Sequence, residues 1–370
     1  MIDPEELKSQ FIEIFHHEPK IFKAPGRVNL IGEHTDHDEG FVLPIAIDKN
    51  IYVAAGINKQ SSNSLQIRVK SLNYDQLEEI NLDQPFSKKN YWTDYIEGVA
   101  RILLKKGIKL NSTDLLINSD IPAGAGVSSS AALEVAVCRA LTEVNNQPIE
   151  TKQLALIGQQ TEHEFIGVKC GIMDQYVSAI GLENQAILID CRTLEYQAIP
   201  VDFNEVEIVI TDSGVKHNLA TSAYNDRRQD CKEGLKILRK FYPEIVGLRD
   251  LTYSEFKVYE NQLPEPVAKR CRHVITENER TKLAAEALRN KDYQSFGNLM
   301  WESHKSLKND YEVTCPELDL LVELARERTD IVYGSRMFGG GFGGSTVTLV
   351  KKNYSEDFRN YINSKFEKAE

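Results

Sequence analysis

A chain of 370 residues with 41% hydrophobic and 27% charged side chains has the composition of a globular protein, long enough for two domains. Its net charge of -11, from 44 basic and 55 acidic residues, argues against nucleic acid as a main partner, because backbone phosphates would be repelled. No apolar run approaches the roughly 18 residues of a membrane span, so no membrane partner is expected.

The N-terminus, Met1-Ile2-Asp3-Pro4-Glu5-Glu6, is acidic and has no apolar core of a signal peptide. Asp3 and Pro4 predict a capped helix with Leu7, Phe11, Ile14 and Phe15 on one face. Strands are expected at 42–47, 51–55 and 65–69, the last alternating Leu65, Ile67 and Val69. Tyr95, Val99, Ile102 and Leu103 predict a helix before Gly107, and Leu115–Ile117 a short buried strand. Residues 131–141 are strongly helical. Thr151 reads as the cap of a helix presenting Leu154, Ile157, Thr161 and Phe165. Strands follow at 186–190 and 206–211, then a mainly helical, charged stretch over about 219–310. Residues 345–350 alternate like a strand. The mixture is α/β (α+β), and a domain change near 190–200 is predicted although no linker marks it. Six single cysteines, at 138, 170, 191, 231, 271 and 315, have no metal-like spacing and read as reduced thiols of a cytoplasmic protein.

Three glycine-bearing segments have chemical potential. Gly124-Ala-Gly-Val-Ser-Ser-Ser130 stands directly before a helix, whose free N–H groups and partial positive charge suit phosphate. A capped helix after a tight turn would look the same. Gly339-Gly-Gly-Phe-Gly-Gly344 satisfies G-x-G-x-x-G but precedes a strand, and Ser345 stands where a P-loop needs lysine. Both common nucleotide motifs are therefore disfavoured, and close backbone packing on a ligand or loop is expected. Pro25-Gly-Arg-Val-Asn-Leu-Ile-Gly-Glu-His-Thr-Asp36 sets Arg27, Glu33, His34 and Asp36 around an apolar run. Buried charges there need partners, which either an ion-pair network or a polyol-binding site supplies.

Taken together the segments resemble the GHMP kinase superfamily, and Arg27–Asp36 is very similar to the galactokinase signature. Ile121–Ser130 looks like the superfamily's phosphate loop, Arg336–Gly344 like its third motif, and Cys170-Gly-Ile-Met-Asp-Gln175 like the galactokinase active-site segment. The four occur in the family's order over about residues 22–350. The resemblance implies an N-terminal domain of the ribosomal S5-domain-2-like type over 1–195 and a ferredoxin-like domain over 196–370, with the active site in the cleft between them. It implies phosphoryl transfer from ATP to the anomeric hydroxyl of α-D-galactose, giving galactose 1-phosphate. Asp174 would be the catalytic base with Arg27 as the cation beside it. Glu33, His34, Thr35, Asp36, Gly171 and Tyr224 would line the sugar site. Gly124, Ala125, Gly126, Val127, Ser128, Ser129 and Ser130 would hold the ATP phosphates. Ser130 and Glu162 would hold Mg²⁺. The expected partners are galactose and ATP, acting on a monomer.

Two departures stand out. His37-Asp-Glu-Gly40 replaces a Tyr-Asn-containing run beside the sugar segment, and Phe338 replaces a smaller residue in the third motif. The lesser alternatives are a solvated carboxylate for Glu162, beside Gln160, His163 and Glu164, and a core residue for Tyr224. Arg227 and Arg228 read as a salt-bridged helix face. The rival functions are a kinase for N-acetylgalactosamine or arabinose, a catalytically silent galactose sensor, and a kinase for mevalonate or homoserine. Ser128-Ser-Ser-Ala-Ala132, Asp174 and Arg27 oppose the silent sensor. Glu33-His-Thr-Asp36 opposes the non-sugar kinases.

Overall fold

Asp3 begins the first helix, α1 (Pro4–Phe15), by accepting a hydrogen bond from the Glu5 amide at 3.0 Å. Leu7, Phe11 and Phe15 bury that helix's apolar face against Tyr52, Ala54 and Leu116. Each fully buried side chain of this size contributes about 1.5–3 kcal/mol of transfer free energy. The structure, a computed structural model, describes residues 2–60, 64–122, 125–215 and 220–366.

Strands β1 (Lys20–Asn29), β2 (Phe41–Val42), β3 (Pro44–Ile57), β4 (Gln66–Ser71) and β5 (Gln76–Asn81) follow. Residues 51–55 belong to one long β3 that also takes in most of the separate strand expected at 42–47. Polar Asp48-Lys-Asn50 does not interrupt it because the segment following β6 pairs with it there. Asp120 accepts from the Asn50 amide at 2.6 Å and returns its own amide to the Asn50 carbonyl at 3.2 Å. β4 alternates as predicted, with Ile67 and Val69 buried. Next come α2 (Thr93–Lys105), β6 (Thr113–Ser119), α3 (Ser129–Val144), α4 (Thr151–Thr161), a π-helical turn at Glu162–Ile166, and α5 (Met173–Ile180). β6 runs antiparallel to β3, with Ile51 opposite Ser119, and parallel to β4. Thr151 is not the cap of α4. Glu150 occupies that position, and no side chain caps the helix.

The chain divides into two compact units that are not contiguous in sequence. One comprises Met1–Arg27, Ala46–Ala123 and Val127–Gly181, and the other Val28–Ile45, Gly124–Gly126 and Leu182–Glu370. A single boundary at 195/196 does not describe these units, because Val28–Ile45 is hydrogen-bonded to a helix more than 200 residues further on. The second unit holds β7 (Gln185–Asp190), β8 (Glu195–Pro200), β9 (Val206–Asp212), α6 (Ala220–Leu238), α7 (Tyr253–Tyr259), α8 (Glu265–Arg289) and α9 (Tyr293–Ser306). It continues through a π-helical turn, Leu307–Tyr311, to α10 (Pro316–Arg326), β10 (Val332–Phe338), β11 (Ser345–Lys351) and α11 (Ser355–Phe366). β7 pairs antiparallel with β2 and β8, and β11 lies between β10 and β9 in an antiparallel sheet. Two hydrophobic clusters among the described residues lie in this unit. One gathers Cys231, Phe256, Cys271, Leu307, Tyr311 and Met337, the other Trp301, Leu321, Val332, Val350 and Phe358. Among the described residues the six cysteines form no disulfide. Among the described residues, no helix is long and apolar enough to cross a membrane.

Candidate active site

In the first unit the site is organised around Asp174. It stands in the first turn of α5, where the helix dipole favours negative charge. Arg27, at the end of β1, grips it in a fork: Nε donates to Oδ1 and an Nη to Oδ2, both at 2.7 Å. Ser128 Oγ adds a third donor to Oδ2 at 2.5 Å. Oδ1 therefore accepts one bond and keeps lone-pair capacity. The arginine side chain is 4% exposed and the carboxylate 31%, so the pair is anchored from one side and open on the other.

Ser128 is the cap residue of α3, with φ at +58°, yet its hydroxyl makes no cap bond because Asp174 takes it. The 16-residue α3 thus starts without a side-chain cap, leaving its first amides free for an anion. Ser129 is exposed and Ser130 half-buried. Val127 is buried and its carbonyl accepts from the Arg27 amide at 3.2 Å. Gly171 is buried ahead of α5. Gly124 lies outside the described residues.

Ser130 lies near enough to Glu162 to act on its carboxyl, so the two expected metal ligands are neighbours. Glu162 is not a solvated carboxylate: it is buried where α4 passes into the π-helical turn. Burial pushes its carboxyl up to about 7, with Asp174 adding to the rise and Ser130 opposing it. Among the described residues, no three His, Cys, Asp or Glu side chains cluster as a metal cage. Behind Glu162 lies Glu134, fully buried on α3, whose carboxyl is raised well above its usual range by burial and then by Glu162. Gln175, next to Asp174, donates to it at 3.0 Å. Gly158 on α4 admits this pair, since a Cβ there would lie 2.8 Å from Gln175 Cγ. Glu134 and Gln175 were not predicted as site residues. An acid at the fifth position after a phosphate-loop serine was the available signal. His163 Nε2 bonds the Cys170 carbonyl at 2.8 Å, a structural role for both.

In the second unit the glycine loop meets part of the phosphate loop. Ser345 Oγ donates to the Ala125 carbonyl at 2.8 Å, and a Cβ on Gly339 would lie 3.7 Å from the Gly126 carbonyl. Gly339 and Gly126 both have positive φ, +81° and +74°. Phe338 is buried in β10 and so faces the core rather than the loop.

Glu33 is buried and heavily bonded. It accepts from Asn29 Nδ2 at 2.6 Å, Arg336 at 2.8 Å and the Gly339 amide at 2.5 Å. Arg336 also donates to the Asn29 carbonyl at 2.9 Å. Thr35 Oγ1 is shared between the carbonyls of Gly32, at 3.0 Å, and Phe41, at 2.7 Å, closing the loop. Asp36 is half-buried at the start of a short turn.

His34 has φ at +59° and a buried ring, and burial above all holds its imidazole well below the usual range, hence neutral. Its Nε2 has no hydrogen-bond partner. The ring lies 4.5 Å from Tyr311 and 5.4 Å from the half-buried Tyr224. His37 sits 6.0 Å from Tyr224 and bonds the Tyr311 hydroxyl at 3.0 Å, so it packs within this aromatic nest. Arg227 donates not to carboxylates but to the carbonyls of Tyr311 and Glu312, at 2.8 and 3.1 Å.

Known proteins match this arrangement along its length. Residues 94–182 match the GHMP kinases N terminal domain and 284–368 the GHMP kinases C terminal. Residues 9–57 match the galactokinase galactose-binding signature. A galactokinase of Chloroflexus aurantiacus is 46% identical over 97% of this chain and 91% of its own length. One from Roseiflexus is 43% identical over 97% and 90%. The crystal structure of Lactococcus lactis galactokinase complexed with galactose superposes with a TM-score of 0.93 at 35% identity, covering 99% of this chain and 94% of that one. Methanococcus jannaschii mevalonate kinase, 18% identical with a TM-score of 0.65 over 94% and 95%, shares the fold. The chain belongs to the galactokinase family of GHMP kinases.

Proposed function

We propose that this protein transfers the γ-phosphoryl group of ATP to the anomeric hydroxyl of α-D-galactose, forming galactose 1-phosphate and ADP. The observation that carries the proposal is the Asp174 carboxylate, locked by Arg27 and Ser128 yet a third exposed, with Oδ1 retaining capacity for a substrate hydroxyl. Such a group accepts the hydroxyl proton as the sugar oxygen bonds phosphorus and the bond to the ADP oxygen breaks. Arg27 keeps the carboxylate oriented and offsets its charge. The uncapped amides of α3 and the glycines of 124–130 bind the phosphates, leaving Ser129 exposed beside them.

Ser130 and Glu162 would hold Mg²⁺. Two protein oxygens, one from a carboxyl whose raised proton affinity a divalent cation would replace, fit an ion that prefers few protein ligands plus phosphate. Bound there, it supplies charge neutralisation on the transferring phosphoryl group. Asp36, Tyr224 and His34 bind the sugar, with Glu33, Thr35 and Gly171 shaping the segments that carry them. The unpartnered Nε2 of His34 supports this, since a buried polar atom without a protein partner is satisfied by a ligand hydroxyl. The protein acts in the cytoplasm as a monomer.

A coupled assay of ADP release with galactose, glucose, N-acetylgalactosamine and arabinose tests the proposal. Galactose should exceed glucose in kcat/KM by about 10⁴-fold, because a site built to bond a hydroxyl rejects the epimer. Comparable values for the two would refute the substrate, and a higher value for N-acetylgalactosamine would reassign it.

A further inference from the structure

We propose that a buried polar face of α8, made by His273, Glu277 and Asn278, positions the sugar-binding segment and so sets sugar affinity without touching the sugar. The inference rests on the reading of residues 32–41 as that segment. The three residues stand at i, i+4 and i+5, on one side of the helix. All are buried, in a stretch whose sequence shows only a charged helix.

Each bonds the backbone of the segment. Glu277 Oε1 accepts from the Gly32 amide at 3.0 Å, and His273 Nε2 bonds the Glu33 carbonyl at 3.1 Å. Asn278 Oδ1 accepts from the Phe41 amide at 2.8 Å. The segment is therefore fastened at both ends. Between the fastenings it closes on itself, with the amides of Asp38 and Gly40 donating to the Thr35 carbonyl at 3.1 and 2.8 Å. Two glycines make this approach possible. A Cβ on Gly40 would lie 2.5 Å from Asn278 Oδ1, and one on Gly32, whose φ is +97°, would lie 2.7 Å from the Phe41 carbonyl.

His34 follows the first fastening directly. A non-glycine residue in the left-handed region is strained by on the order of 1 kcal/mol and persists only where its surroundings over-determine it. The bonds of Glu277 to Gly32 and of His273 to Glu33 supply that constraint. They aim the imidazole whose Nε2 is unpartnered.

The three side chains are themselves fixed. Ser303 donates to Glu277 Oε1 at 2.6 Å and Arg280 to Oε2 at 2.7 Å. Burial works to raise the Glu277 carboxyl, but Arg280, His273 and Arg336 together with Ser303 hold it down at about 2, so it is ionised. A carbonyl partner makes Nε2 the protonated nitrogen of a neutral His273, and Nδ1 meets Ser306 Oγ at 3.0 Å. Asn278 Nδ2 donates to the Val274 carbonyl at 2.8 Å.

The test is steady-state kinetics and thermal melting of Glu277→Ala, Glu277→Gln, Asn278→Ala and Asp36→Ala. Glu277→Ala and Asn278→Ala should each raise the galactose KM about 10- to 100-fold, as displacement of a positioned group by an ångström does, with the ATP KM within about twofold of wild type. Glu277→Gln, which keeps an acceptor for the Gly32 amide, should recover most of that loss. If Glu277→Ala does not fold, Asn278→Ala carries the test, since it leaves no buried charge unpaired. A galactose KM within about twofold of wild type in Asn278→Ala, or equal rises in both KM values, would overturn the proposal. Should Asp36→Ala lose galactose affinity while the α8 variants keep it, the α8 proposal alone fails. An unchanged galactose KM in Asp36→Ala would remove the reading of the segment and the proposal with it.

Discussion

Two arginine–carboxylate pairs, Arg27–Asp174 and Arg336–Glu33, have the same charges and the same contact distance to within 0.1 Å, at 2.7 and 2.8 Å. They differ in surroundings. In the first the carboxylate is 31% exposed, while in the second both members are nearly sealed, at 0% and 2%. Glu33 further accepts from Asn29 and the Gly339 amide, tying residues 29–33 to residues 336–339. Asp174 is bonded on one oxygen by two donors and on the other by one. A sealed pair held by several chain groups is a fastening, and a half-open one is a reagent held in place. Residue type alone does not distinguish them.

The largest expected effect is on chemistry at the open pair. Asp174→Asn should lower kcat by about 10²–10⁴-fold or more, the range for loss of a general base, while the melting temperature stays near wild type. Retention of half the wild-type kcat would show that the exposed carboxylate does no chemistry. The sealed pair should respond in the opposite way. Arg336→Met leaves Glu33 charged in a dry site and should destabilise the fold by about 3–5 kcal/mol in denaturant titration. Arg27→Met should cost less stability, because water reaches Asp174. Equal penalties would break the comparison.

A third expectation concerns a buried carboxyl beside the sealed region. Burial pushes Asp38 up to about 6 from an ordinary 3.8, and one of its oxygens has no partner. Because the folded pKa lies above the unfolded one, the stability it contributes is full below about pH 4 and is lost as pH rises through 6. Asp38→Asn should therefore gain on wild type between pH 4 and 7, by up to about 3 kcal/mol. Parallel stability curves for the two proteins would show that Asp38 ionises normally. The smallest effect is expected at the metal ligands. Ser130→Ala and Glu162→Gln should each raise the Mg²⁺ needed for half-maximal activity about tenfold, equivalent to ~1.4 kcal/mol, with the galactose KM unchanged. A shifted galactose KM without a shifted Mg²⁺ requirement would contradict the assignment.

The sequence made local features legible. Asp3, Pro4 and the spacing of Leu7, Phe11 and Phe15 define α1, and the alternation after Ser345 defines β11, because caps and periodicities act within a few residues. β1, β5, β8 and β10 were not foreseen. β5 and β8 are largely exposed and lack an alternating apolar face, and β10 is buried almost throughout. The failed Thr151 cap and the continuous β3 have the same origin: each depends on what the backbone meets in space.

At the site, the sequence by itself determined the chemical inventory. Within it are a glycine-serine segment before a helix, an acid in Cys170–Gln175, and an arginine, acid and imidazole spaced around an apolar run. It also determined the family, since four motifs in order survive without any knowledge of contacts. Only the tertiary structure decided which acid is open and which is sealed, that Glu162 is buried near Ser130, that Gln175 bonds Glu134 in the first unit, and that the α8 residues hold residues 32–41 in the second. The reason is physical. Burial and partner choice bring together groups up to 307 residues apart, such as Arg336 and the Asn29 carbonyl, and no local pattern encodes that meeting.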